Sequence, residues 1–216
     1  MPSEATHIRF ALDLKSKYAV RDVGEYIRGT VYPDSRYMTG ISRELTHPEN
    51  FMDWDVAVAD DFKKGWFVHL LGDAIWTQLL PELLPEALEG TKGQGSETWI
   101  KSTAIKILLD INDAKKCDIL SCLPYLNRAE NPNGEDMKTM EEYHRALQAA
   151  YANPQNINIE SSDTLWTAFR VPEMLSRKVK QKAAEYGRDE RVMEKVRRIY
   201  PNMILSADTS FRGLKK

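Results

Sequence analysis

The sequence predicts an all-α fold, a multi-helix bundle around a long central helix at about residues 60–80. Three observations support this. Apolar residues recur at spacings of three and four along most of the chain, no run alternates with the period of two that a half-buried strand needs, and no internal repeat stands out. At 216 residues, 42% apolar and 29% charged, the chain is long enough to bury a sizeable core as one domain and too apolar to be disordered. Lys and Arg number 30 against 32 Asp and Glu, a formal charge of −2. A balance that close to zero argues against a broad, sequence-independent grip on nucleic acid. No stretch approaches the roughly 20 apolar residues of a membrane span. The N-terminal MPSEATHIRF has neither the basic nor the apolar region of a signal peptide, so the expected location is the cytoplasm. Cys117 and Cys122 match neither a C-x-x-C metal pair nor a disulfide framework and are expected as buried thiols.

The first helix is expected at about 3–18, with Ser3 as N-cap and Ile8, Ala11, Leu12 and Leu14 on its apolar stripe. A second, short helix at about 20–28 should end at Gly29. After it, TVYPDSRYMTGISRELTHPENF is rich in Pro, Gly, Ser and Thr and reads as a long ordered loop of the kind that carries function. From about 60 to 80, Phe62, Trp66, Phe67, Leu70, Leu71, Ile75 and Leu79 leave little polar circumference, which makes this the buried central helix, closed by Pro81 and Pro85. Asp60 and Asp61 favour its N-terminus. Past the break at GTKGQGS, helices are expected at about 97–113, 117–126, 136–151 and 162–169, with a turn at NPNG. Pro172 is placed at the first position of the next helix, and the segment from about 173 to 216 is charged, helical and strongly amphipathic. The tryptophans, Trp66 and Trp76 among them, are assigned to the core.

The distribution of histidines is the most informative feature. Of four, His7, His47 and His69 fall in the first third of the chain. His69 and Asp73 form H-x-x-x-D inside the central helix, where residues four apart share a face and can reach one metal ion. In so apolar a helix, a buried imidazole beside a buried carboxylate is costly unless the two are paired or hold a cation. Gly65 and Gly72 flank the pair, as a close neighbouring backbone would require. Upstream, Y-P-D presents Asp34 and T-H-P presents His47, each beside a proline that stiffens the loop.

This order of residues resembles the zinc-dependent phospholipase C family and the related single-strand-specific zinc nucleases, both all-α. The shared order is a histidine on the N-terminal helix, P-D on the following loop, a histidine about a dozen residues later, then H-x-x-x-D in a long helix. It covers about residues 1–80. The resemblance implies that Asp34, His47, His69 and Asp73 form the principal metal site and that His7 leans toward a neighbouring ion. Several family ligands have no counterpart. MPSEAT offers no N-terminal tryptophan, IWTQLLPELL carries no histidine after the H-x-x-x-D, and His144, the one later histidine, is followed four residues on by Gln148 instead of an acid. One well-made site and at most a second, weaker one are expected, filled by zinc or another divalent transition metal.

The chemistry such ligands support is hydrolysis by a metal-activated water, with a small-molecule or lipid-like phosphoester as the natural substrate. Asp34 and Arg36 are the catalytic candidates, Arg36 and Arg43 being placed to hold phosphate charge and Tyr32 and Tyr37 to close the pocket. Two other readings compete. An HD-type phosphohydrolase would use Asp110 as a distant ligand, although no His-Asp dipeptide occurs; it requires Asp110, not Asp34, within ligand distance of His69. A helical interaction module with a structural or vestigial metal would instead use the basic residues of the last segment.

Overall fold

The computed structural model describes residues 4–90 and 93–214, without the side chains of 210–214. It is helical throughout, with no strand among the described residues. The first helix, α1 (Glu4–Leu14), is shorter than expected, and Ser3 lies outside the described residues. α2 (Val23–Val31) begins behind Asp22, whose side chain accepts from the Glu25 N–H. It does not stop at Gly29, and the reason is packing. A Cβ on Gly29 would stand 1.9 Å from the Phe62 carbonyl oxygen, so this glycine marks a helix crossing, not a helix end.

The long loop is largely built of single turns. A 3-10 turn (Tyr32–Ser35) leads into α3 (Arg36–Thr39), which Gly40 closes at φ 73, followed by α4 (Arg43–Thr46) and a second 3-10 turn (Phe51–Asp53). The central helix, α5 (Asp61–Leu83), is capped by Asp60, which accepts from the Lys63 N–H at 2.7 Å. Asp61 accepts from the backbone N–H groups of Arg21 and Asp22 and so ties the start of α5 to the start of α2. Pro81 does not end α5. It sits in the exposed last turn, and the carbonyl it deprives of a donor belongs to Thr77, also on the solvent side.

Four of the remaining helices start near their expected residues: α6 (Glu97–Ala114), capped by Ser96; α8 (Met137–Ala150), capped by Asp136; α9 (Ser162–Ala168); and α10 (Glu173–Arg188). The expected helix at 117–126 is instead a single turn, α7 (Ile119–Cys122), continued as a 3-10 segment (Leu123–Asn127) with Pro124 inside it. Pro172 is the N-cap of α10 and not its first residue. The charged C-terminal segment is two helices, because Asp189 takes an extended backbone between α10 and α11 (Glu190–Leu214).

α5 is the axis of the bundle, packed by α2, α1 and α11, while α6 packs against α1 and α10. Phe67, Val68, Leu71 and Ile75 of α5 are buried with Phe10, Ile27, Leu109 and Val196 from the surrounding helices. Cys122 is buried and Cys117 half-buried, both free. No helix among the described residues is long and apolar enough to cross a membrane.

Candidate metal centre

α2 and α5 cross at close range. A Cβ on Gly65 would stand 1.9 Å from the Tyr26 carbonyl oxygen, so only glycine lets the two backbones approach this closely. One turn along α5, that proximity brings His69 to the last turn of α2, where its Nδ1 donates to the Thr30 carbonyl at 2.8 Å. The bond fixes both the ring and its tautomer, since a carbonyl only accepts, and Nε2 is left as the nitrogen with a free lone pair. α1 lies across the same face of α5 and stacks the His7 ring on His69, with centroids 3.8 Å apart and planes 15° from parallel. Gly72 leaves room for that ring, a Cβ there being 3.4 Å from His7 Nδ1.

Two groups of ligand atoms converge at this point. Those of His7, Asp34 and His69 lie within 4.8 Å of one another, and so do those of His47, His69 and Asp73. Asp34 arrives on the 3-10 turn that follows α2 and is buried. His47 arrives at the end of α4, with Nε2 3.5 Å from Asp73 Oδ2. His69 Nε2 is 3.9 Å from the same oxygen, and His7 Nε2 is 3.7 Å from Asp73 Oδ1. The structure therefore brings together all five residues that the sequence singles out, but Asp34 falls in with His7 and His69 instead of with His47 and Asp73.

The electrostatics suit a cation. His7 Nδ1, His47 Nε2 and His69 Nε2 are buried and make no hydrogen bond. Burial, then the adjacent His7, push the His69 imidazole down to about 3, and burial lowers His7 as well, so both are neutral at pH 7. Burial alone would raise the Asp73 carboxyl, but the Lys106 ammonium and the His47 ring outweigh it and hold Asp73 well below the usual carboxylate range. Neutral imidazoles with unshared lone pairs beside ionised carboxylates are the protonation states a divalent ion requires.

The cluster forms the inner end of a cavity of about 820 Å³ between α5, α6 and the segment around α4. Arg43, Phe51, Trp76, Trp99 and Lys106 line it, together with Asp34, His47 and Asp73. Arg36 is not part of the lining; its guanidinium lies over the Tyr37 ring, and Tyr37 itself does line the cavity. Tyr32 is turned away and bonded to Glu135 and Asn133. Two contributors escape the sequence reading. Lys106 hides in the apolar run TAIKILL, where a basic residue is the only hint. Trp66, assigned to the core, donates its indole N–H to the Thr46 carbonyl at 2.7 Å and so anchors the segment that carries His47.

The competing readings find less support in the geometry. Asp110 is not among the groups that converge on His69; its carboxylate accepts from the Thr6 N–H and the Tyr151 hydroxyl, holding the start of α1. His144 is also elsewhere, donating from Nδ1 to the Leu126 carbonyl, and Gln148 beside it donates to Leu123 and Asn127. In the C-terminal helices Arg177, Lys180, Lys182, Lys195 and Arg197 are each ion-paired with a carboxylate, which breaks up a basic face. No protein-family model, no curated protein and no solved structure matches the chain.

Proposed function

We propose that this protein is a metal-dependent hydrolase acting on phosphoesters, with His7, Asp34, His47, His69 and Asp73 around one zinc or similar divalent ion. The observation that carries the reading is the set of orphaned imidazole nitrogens. His47 and His69 aim unbonded Nε2 atoms at Asp73, His7 turns Nε2 toward the same carboxylate while its Nδ1 is unbonded, and Asp34, His47 and Asp73 open the group to the cavity. Left without a cation, so many unsatisfied buried polar atoms are a standing penalty of about 1–3 kcal/mol each. One ion is favoured over two because both ligand groups depend on His69, whose single free nitrogen serves one ion at a time.

A divalent ion held by these residues would supply a water nucleophile at neutral pH and would draw charge from a phosphoryl oxygen. The residues divide the remaining work. Thr30 orients His69 through its carbonyl, and Thr46 does the same for His47, its hydroxyl 3.0 Å from Nδ1. Asp34 and Asp73 neutralise the cation while the stacked His7 and His69 keep water from the inner side. Phe51, Trp76 and Trp99 give the cavity an apolar wall suited to the organic part of an ester.

Elemental analysis of the purified protein tests this. About one equivalent of transition metal is expected in the wild type and near none in Asp34→Ala and His69→Ala, followed by turnover in a screen of phosphomonoesters and phosphodiesters. A folded wild type that neither carries nor takes up zinc would overturn the reading.

A further inference from the structure

We infer that Lys106 is the residue that receives the anionic group of the substrate, a role resting on the metal-centre reading above. Lys106 projects from α6 and lines the cavity together with His47, which comes from the end of α4. Its ammonium lies 3.6 Å from Asp73 Oδ1, which His7 Nε2 also approaches at 3.7 Å, while Asp73 Oδ2 faces His47 and His69. The lysine thus stands beside the candidate ligand cluster, and it and Asp73 both line the cavity.

Its surroundings leave it available. An ammonium has three donors, and among the described residues Nζ makes no hydrogen bond, the 3.6 Å approach to Asp73 being an ion pair longer than one. The side chain is 19% exposed and lines the cavity. Its stem is guided by Trp76, with the ammonium 5.5 Å from the ring centroid, so the charge has a defined direction without being consumed by a tight partner. Lysines elsewhere in the molecule differ. Lys64 donates to Asp61 at 2.8 Å and Lys180 to Glu160 and Asp163 at 2.7 Å, each bound in the usual way.

The charge balance points the same way. Asp34 and Asp73 cancel one divalent ion, and a phosphoryl group then entering the cavity brings negative charge that the cluster no longer offsets. Lys106 is the lining cation next to that cluster, and as a compact point charge on a flexible stem it can turn its donors from Asp73 to a non-bridging oxygen. The ligand class is a phosphate oxyanion, whether free phosphate or the head of an ester.

The probe is inorganic phosphate titrated calorimetrically into zinc-loaded protein. Lys106→Ala and Lys106→Gln should keep the wild-type zinc content and melting behaviour while binding phosphate at least tenfold more weakly. Lys106→Arg should restore affinity to within about threefold, and Lys195→Ala, an equal charge change at the α11 ion pair with Glu86, should leave it unaltered. Phosphate affinity unchanged in Lys106→Ala and Lys106→Gln with zinc retained overturns the proposal and leaves the metal centre standing. Loss of zinc from both folded variants also overturns it, making Lys106 a support for Asp73. Failure of the wild type to bind zinc defeats the underlying reading and the proposal with it.

Discussion

His69 and His144 begin alike and end differently. Each is buried on a long helix, each donates from Nδ1 to a backbone carbonyl outside that helix, at 2.8 and 3.1 Å, and burial pushes the two imidazoles down to about 3 and about 4. The remaining ring nitrogen separates them. That of His69 is orphaned among His7, His47, Asp34 and Asp73, whereas His144 leaves no buried nitrogen without a partner and joins no group of metal-ligating side chains among the described residues. A carbonyl-anchored buried histidine is therefore a structural device by default. What makes one a candidate ligand is the company at its other nitrogen.

The largest effect should be a split between the two histidines. His69→Ala is expected to weaken zinc binding more than a hundredfold, about 3 kcal/mol or more, with the helical fold kept. His144→Ala should retain full zinc content and lose stability instead. Competition with a chromophoric chelator, read beside a thermal melt, checks both, and zinc loss in His144→Ala would erase the distinction.

Next comes the crossing that brings His69 to its carbonyl. Gly65→Ala drives a Cβ against the Tyr26 backbone oxygen, which no rotamer change relieves, and should cost about 3 kcal/mol, the upper end for overpacking. Gly72→Ala meets only the edges of His7 and Phe10 at 3.4 Å and should cost less in stability than in zinc affinity. Denaturant unfolding of both variants reports the ranking.

In the metal-free protein His144 contributes to the pH dependence of stability beside His69 and His7, which burial also holds down, and a His144 variant separates its share. Its ordinary value is 6.5 and its folded value about 4. Above pH 6.5 the ring is neutral in both states and adds no slope. As the pH falls below 6.5, the unfolded chain takes the proton on this ring and the folded one does not, so the His144 share of the stability drops until about pH 4 and then levels. The contribution is about 2 kcal/mol across that window, allowing for relaxation around the buried ring. His144→Gln should make this limb of the stability profile shallower by that amount, leaving the share of His69 and His7; an unchanged limb would mean the His144 ring titrates freely in the fold.

The long helices and the candidate ligands were legible in the sequence; the crossings and the short turns were not. Asp60, Ser96 and Asp136 cap helices whose apolar periodicity already marks them, and local signals of this kind survive tertiary context. Gly29 was misleading because a glycine that ends a helix and one that admits a neighbouring backbone look the same along the chain, and only the approach of Phe62 distinguishes them. The single turns at 32–35, 36–39 and 43–46 carry too few residues for a period to show. His7, Asp34, His47, His69 and Asp73 were legible through residue type and order, while which aspartate groups with which histidines depends on how α1 lies across α5. Lys106 comes from a helix more than thirty positions beyond His69 in the sequence, and only packing sets it beside Asp73.

The smallest effect sharpens the comparison furthest, because it removes no ligand. Trp66 holds the His47 segment through one indole hydrogen bond to the Thr46 carbonyl, and its ring is packed between Tyr32 and Trp54. Trp66→Phe keeps most of that packing and deletes the donor, which costs about 1 kcal/mol. If His47 is a ligand, loosening its segment should weaken zinc about tenfold, the lower end for outer-shell changes, while the pH limb assigned to His144 stays where it was. If His47 merely accompanies the cluster, stability falls by the same amount and zinc affinity does not move, so the ratio of the two readouts assigns His47 without touching it.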